Sequence, residues 1–181
     1  SVKIQSMTTT QTSDIEATAE QISRLYEAGC EIVRVAVRGE EDARAIGKLK
    51  EHSPLPIVAD IHFSAKLAIL ATENGADKIR INPGNIGGQA QIKAVADCIR
   101  AHGIPVRVGS NTGSIEKEFF EKYGRTAPAL VESALHNVQL LEKFGVRDIV
   151  ISVKASSVPL TVEAYRILAK KTDYPLHVGV T

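Results

Sequence analysis

Short β-branched runs alternate with longer amphipathic stretches along the whole chain. The runs fall at approximately Val2–Met7, Ile32–Val37, Ile57–Ile61, Lys78–Ile81, Val106–Gly109, Asp148–Val153 and Leu176–Val180. Between them, apolar residues recur at helical spacing over about Asp14–Ala28, Glu40–His52, Ala65–Asn74, Gln89–His102, Ala129–Phe144 and Thr161–Lys171. Gly29, Gly75, Gly103 and Gly145 stand where a helix needs a left-handed residue before the next strand begins. Ser13 and Glu16 have the S-x-x-E spacing of a capping box, which predicts the start of the first helix. Strands alternating with helices of this length imply βαβ crossovers and a mostly parallel sheet.

The units recur at intervals of about 25–30 residues, and Ser114–Thr126 adds an extra loop or short helix to one of them. An open doubly wound sheet and a TIM-type (β/α)8 barrel both fit this rhythm. The first loop lacks the G-x-G-x-x-G fingerprint of a dinucleotide-binding sheet, which favours the barrel. About seven strands and six helices are present, so the expectation is a truncated barrel, one partial domain spanning residues 1–181. The opening at Ser1 and the close on LHVGVT suit a piece cut from within a longer chain.

Strand side chains alternate between faces. Val33, Val35 and Val37 form one apolar face of the second strand, and Arg34 belongs to the other. Ile79 and Ile81 likewise oppose Arg80 and Asn82, while Val106 and Val108 oppose Arg107, Gly109 and Asn111. If the apolar faces meet the helices, the interior and its carboxyl-end mouth carry Arg34, Asp60, His62, Arg80, Asn82, Arg107, Asn111, Ser152, Lys154 and His177. Barrel interiors are ordinarily filled by branched apolar side chains. Several cations around one carboxylate predict a bound polyanion, because like charges out of water need a counter-charge. Arg suits phosphate oxygens through its rigid fork.

Whole-chain charge conceals this concentration. The 181 residues carry 22 basic and 21 acidic side chains, a net charge of +1, which supplies no global attraction to nucleic acid or an anionic membrane. Aromatic residues make up 4% and Trp is absent, which disfavours stacking platforms for single-stranded nucleic acid. No apolar run approaches the roughly 18–20 residues of a membrane span, and the opening lacks a signal-peptide core, so a soluble, cytoplasmic chain is expected. Cys30 and Cys98 are too few for a disulfide framework and too widely spaced for a CxxC motif. Both read as small structural hydrophobes.

The loops NPGNIGG (82–88) and SNTGS (110–114) bring small residues to the expected mouth, where backbone N–H groups are able to approach phosphate oxygens. Ordinary turn chemistry explains the same composition. Asp60 and His62 suit an acid/base pair, a metal-ligand pair or hydrogen-bonding partners of substrate hydroxyls. His52, His102 and His136 fall on helices away from the mouth. Lys154 suits two roles, a Schiff-base nucleophile or another phosphate ligand, and the neighbouring arginines favour the ligand. The corresponding alternatives to an anion-binding redox barrel are a class I aldolase-type phosphosugar lyase and a non-catalytic phosphate-binding module.

The segments KIQSMTTT (3–10), CEIVRVAV (30–37), VADIHF (58–63), DKIRINPGNIG (77–87), SNTGS and DIVISVKAS (148–156), followed by TVEAYR (161–166), resemble the 4-hydroxy-3-methylbut-2-enyl diphosphate synthase family of the non-mevalonate isoprenoid pathway. The resemblance implies an oxidoreductase that opens the ring of 2-C-methyl-D-erythritol 2,4-cyclodiphosphate with two electrons and loss of water. It implies diphosphate binding by Arg34, Arg80, Asn82, Arg107, Asn111 and Lys154, with Asp60 and His62 near the hydroxyl-bearing carbons; Arg38 lies in a variable loop. Thr181 would sit at the mouth of the seventh strand. The family's 4Fe–4S cluster is held by three cysteines and a glutamate in a carboxyl-terminal domain that caps a partner's barrel, and Cys30 and Cys98 do not match those ligands. Ferredoxin or flavodoxin supplies electrons, and the bacterial enzyme is a homodimer. The chain is thus expected to bind cyclic diphosphate without turning it over. The pterin-binding barrel of dihydropteroate synthase is a further relative in fold, but an arginine-rich interior suits a pterin less well.

Overall fold

The computed structural model describes residues 2–179. Six strands, β1 (Gln5–Met7), β2 (Ile32–Ala36), β3 (Ile57–Asp60), β4 (Lys78–Ile81), β5 (Val106–Asn111) and β6 (Ile149–Lys154), form one sheet in the order β1-β2-β3-β4-β5-β6. Every pairing is parallel. The connections carry α1 (Ile15–Glu27), α2 (Glu40–His52), α3 (Ala65–Glu73) and α4 (Gln89–His102), then α5 (Lys117–Tyr123) and α6 (Ala127–Glu142), with α7 (Val158–Lys171) after β6. The sheet curls: β1 and the 175–179 segment, from its two ends, line one cavity with Arg34 and Lys154. This is a truncated TIM-type barrel, with helices on the outside and a polar concave face within.

The core sits between sheet and helices. Val33, Val35, Ile57, Ile79, Ile81, Val106 and Val108 are fully buried against α-helical partners such as Ile46, Leu49, Leu130 and Leu141. Together these side chains supply the main stabilisation, each about 1.5–3 kcal/mol on burial before chain entropy is counted. Gly29, Gly75, Gly103 and Gly145 all have positive φ, between 64° and 91°, and each turns the chain from a helix toward a strand. A residue with a Cβ would be strained at these four positions.

Three expectations are corrected. The seventh strand is reduced to a single parallel bridge between Ile151 and Leu176, and Val180 and Thr181 lie outside the described residues. The reason is a side chain in the ladder. Pro175 O accepts from Ile151 N and Ile151 O from His177 N, but the next rung is occupied by Tyr165. Its hydroxyl accepts from Val153 N at 3.1 Å and donates to His177 O. The described residues hold seven α-helices and not six, because the extra segment after β5 forms α5 ahead of α6. The first helix is capped by Asp14, whose carboxylate accepts from Ala17 N, and not by a Ser13–Glu16 box. Ser13 N donates instead to Asp42 Oδ1 on α2, which also accepts from Arg38 N through Oδ2, so Asp42 ties the first two loops together.

Candidate functional site

Register places the charged side chains on one inner rung. Asp60 on β3 pairs with Arg80 on β4, and Arg80 pairs with Arg107 on β5. Parallel partners project to the same face, so three strands present a carboxylate and two guanidinium groups side by side. Lys154 and Asn111 pair two rungs higher, at the carboxyl ends of β6 and β5. Six of the eight residues expected from sequence (Arg34, Asp60, His62, Arg80, Asn111 and Lys154) line one cavity of about 370 Å³ at the mouth.

Asp60 is the hub. Its Oδ1 accepts from Arg80 Nη1 at 3.2 Å, its Oδ2 lies 3.5 Å from Arg34 Nε, and His62 Nε2 is 3.8 Å away. Both arginine side chains are mostly buried and Asp60 is nearly inaccessible, whereas His62 is largely exposed. Arg34 also directs Nε and Nη2 at the sulfur of Met7, at 3.2 and 3.0 Å. Sulfur is a weak acceptor, so those donors are poorly satisfied. A single carboxylate therefore serves two guanidinium groups.

Arg107 lies beneath this cavity at 1% exposure. Its Nε donates to Ser152 Oγ at 3.1 Å and its Nη1 contacts His177 Nε2 at 3.2 Å, while Nη2 is buried without a partner among the described residues. Burial, and then Arg34 and Arg80, pull its pKa down to about 10. Lys154 is lowered by burial first and then by Arg34, Arg107 and Arg80. Burial lowers Lys78 at the amino end of β4 as well, with Arg107 adding to it. Burial followed by these same cations pushes His177 down to about 4. In each case burial is the larger cause and the neighbouring cations add to it, a positive field that an anion with several oxygens would relieve.

The remaining expected residues are placed differently. Asn82 is buried and does not line the cavity; its Oδ1 accepts from Gly84 N across the 3-10 turn Pro83–Asn85. Gly84 N also reaches Asn137 Oδ1 on α6 at 2.7 Å. In SNTGS, Gly113 N donates to Asn111 Oδ1 and Asn111 N to Ser114 Oγ. The N–H groups of Gly84, Asn85 and Ile86 in the first loop and of Asn111 to Ser114 in the second are thus engaged within the protein, which favours the turn reading of these segments. Arg38 is exposed and lines a separate shallow site with Gln11 and Glu41. Sequence reasoning passed over Met7 and Asn137. It also passed over Gly109, whose position between Arg107 and Asn111 on the inward face was the available signal.

Neither cysteine faces the cavity. Cys30 is buried, with Sγ 3.0 Å from Ile32 O, and Cys98 on α4 contacts His102 Nδ1 at 3.8 Å. Among the described residues, no three His, Cys, Asp or Glu side chains converge on a possible metal position. The described residues therefore do not fit an iron–sulfur cluster. No described helix is long and apolar enough to cross a membrane.

Solved barrels share the fold. Dihydropteroate synthase of Yersinia pestis superposes with a TM-score of 0.65 at 12% identity, over 96% of this chain and 68% of that one. A truncated 3-deoxy-D-arabino-heptulosonate 7-phosphate synthase from Thermotoga maritima gives 0.69 at 15% identity, over 96% and 62%. At the level of sequence, the chain is 58% identical over 99% of its length to a protein of Caldanaerobacter subterraneus subsp. tengcongensis named 4-hydroxy-3-methylbut-2-en-1-yl diphosphate synthase (flavodoxin). A protein of the same name from Helicobacter hepaticus is 57% identical, again over 99% of the chain. The chain spans about half the length of these relatives, 51% in both cases. The model of the GcpE TIM-barrel domain matches residues 1–181. With that match from end to end, and more than half of its residues shared with these synthases, the chain belongs to the GcpE family.

Proposed function

We propose that this chain is the substrate-binding barrel of a 4-hydroxy-3-methylbut-2-enyl diphosphate synthase, and that the cavity between Arg34, Arg80 and Lys154 takes the diphosphate of 2-C-methyl-D-erythritol 2,4-cyclodiphosphate. The observation that carries this reading is the cation excess: Arg34 and Arg80 share the one carboxylate of Asp60, Arg107 and Lys154 pair with no carboxylate among the described residues, and Arg107 Nη2 is buried with no described partner. An unpaired buried donor of this kind costs about 1–3 kcal/mol or more, which a bound phosphate oxygen offsets.

The residues divide the work by position. Arg34, Arg80 and Lys154 neutralise the diphosphate, and Arg107 reinforces it from beneath. Asn111, at the carboxyl end of β5, offers an amide to the ring oxygens. His62, held near Asp60 and open to solvent, stands beside the hydroxyl-bearing carbons, where it orients a hydroxyl and exchanges its proton. Asn82 contributes by shaping the NPGNIGG loop. The overall conversion takes up two electrons and two protons, opens the ring and releases water. The family's 4Fe–4S cluster would supply those electrons from a separate carboxyl-terminal domain, with flavodoxin or ferredoxin as donor and a homodimer as the working form in the cytoplasm. The names of the relatives support flavodoxin.

Calorimetric titration with the cyclodiphosphate at low and high salt tests the reading. Binding that weakens steeply with salt is expected. No binding to a folded chain would sink it.

A further inference from the structure

We infer that Gly109 is a positioning residue for Arg80, its missing side chain leaving the space in which the guanidinium lies. The inference deepens the anion-binding reading above and rests on it. The inward positions of β5 are Arg107, Gly109 and Asn111, so Gly109 is a gap between two long side chains. A Cβ built there would stand 2.7 Å from Arg80 Nε, 2.8 Å from Nη2 and 3.1 Å from Cζ. Real Cβ atoms do not approach so closely. Gly109 is not among the glycines with positive φ, so its backbone conformation does not call for glycine. Room for the guanidinium does.

The register explains the geometry. Arg80 pairs with Arg107, and Gly109 lies one inward rung nearer the mouth, beside Ser152. Arg80 therefore leans toward the carboxyl end and lies flat across Gly109, as strand side chains lean along their strand. Its far edge meets Asp60 through Nη1, and its Nε is buried without a partner among the described residues. The guanidinium is held between a carboxylate on β3 and bare backbone on β5. A methyl group at position 109 displaces it from Asp60 and tilts its fork away from the pose that serves the cavity.

A double-mutant cycle on the intact protein, titrated with inorganic pyrophosphate, tests this. Gly109→Ala is expected to weaken binding roughly tenfold while Arg80 is present, and to cost nothing further in an Arg80→Ala background. Equal losses in both backgrounds would overturn the inference, because a merely structural glycine does not depend on its neighbour. Thermal unfolding gives a second readout. Gly109→Ala is expected to lower Tm beside Arg80 and to raise it in the Arg80→Ala background, where alanine only restricts the unfolded chain. Should Gly109→Ala fail to fold, recovery by adding Arg80→Ala supports the inference and continued failure overturns it. If the wild-type protein does not bind pyrophosphate, the anion-binding reading falls while the Tm cycle still decides the coupling of the two residues.

Discussion

Arg107 and His177, seventy positions apart in sequence, meet at 3.2 Å between Nη1 and Nε2. A guanidinium only donates, so Nε2 is the acceptor and the imidazole proton resides on Nδ1. His177 is thereby a neutral base clamped against a cation, which agrees with its pKa of about 4. Tyr165 holds the same residue from behind through its carbonyl. Helix α7, the 175–179 segment and β5 thus converge on the direction in which Arg107 points.

This neutral histidine gives the fold an acid sensitivity with a definite sign. The unfolded chain protonates His177 near the ordinary value of 6.5, and the folded chain only near 4. Unfolded protein therefore binds more protons between these values, and stability falls as pH drops from about 6.5 to about 4. Above 6.5 the effect vanishes. His177→Gln retains an acceptor without the titration, so its Tm should change less over this interval than that of the wild type.

Arg107 is expected to trade stability for binding. It is buried and charged, and it has no carboxylate partner among the described residues. Arg107→Met fills similar space without charge and should stabilise the fold by about 1–3 kcal/mol. The same variant should lose most pyrophosphate affinity and show a shallower dependence on salt. Denaturant unfolding and calorimetry, run on one preparation, check both halves.

Asn137 is a purely structural counterpart. It is fully buried on α6, where Oδ1 accepts from Gly84 N at 2.7 Å and Nδ2 donates to Glu116 Oε1 and Ser133 O at 2.6 and 2.9 Å. Asn137→Ala strands the carboxylate of Glu116, which already has one buried unpartnered oxygen, and should cost about 1–3 kcal/mol. Hydrogen exchange should rise first in the Pro83–Asn85 turn, which Asn137 anchors.

Lys154 separates the rival chemistry from the favoured one. Its lowered pKa suits imine formation as well as phosphate binding. The anion-binding reading expects no borohydride-trapped adduct at Lys154 after incubation with a phosphosugar ketone, and a loss of pyrophosphate affinity in Lys154→Met. A stoichiometric Lys154 adduct found by mass spectrometry would favour the aldolase alternative.

Much of this was legible along the chain. Glu40–His52 and Gln89–His102 coincide with α2 and α4, and Lys78–Ile81 with β4, because each has strong periodicity and a clear stop. Alternation placed Arg34, Arg80 and Arg107 on the inner face for the same local reason. The cap at Asp14 was missed because Ser13, Asp14 and Glu16 are all plausible capping residues; the distant Asp42 decides by taking the Ser13 N–H. Two neighbouring loops rich in Gly and Asn read alike as phosphate cradles or as turns. Only the internal partners of Gly84 and Gly113 distinguish them.

By itself, the sequence determined the repeating strand–helix unit, the parallel sheet, the family and the side of each strand that carries charge. Those properties follow from periodicity and short motifs, which depend on residues close in the chain. Tertiary structure decided that Arg107 sits beneath the cavity and not in its wall, that Asp60 answers two arginines at once, and that Tyr165 interrupts the last ladder. It also decided that Gly109 is a berth for Arg80. Register and curvature set these relationships by bringing strands of distant sequence onto one rung, where the available space and the missing partners become physical facts.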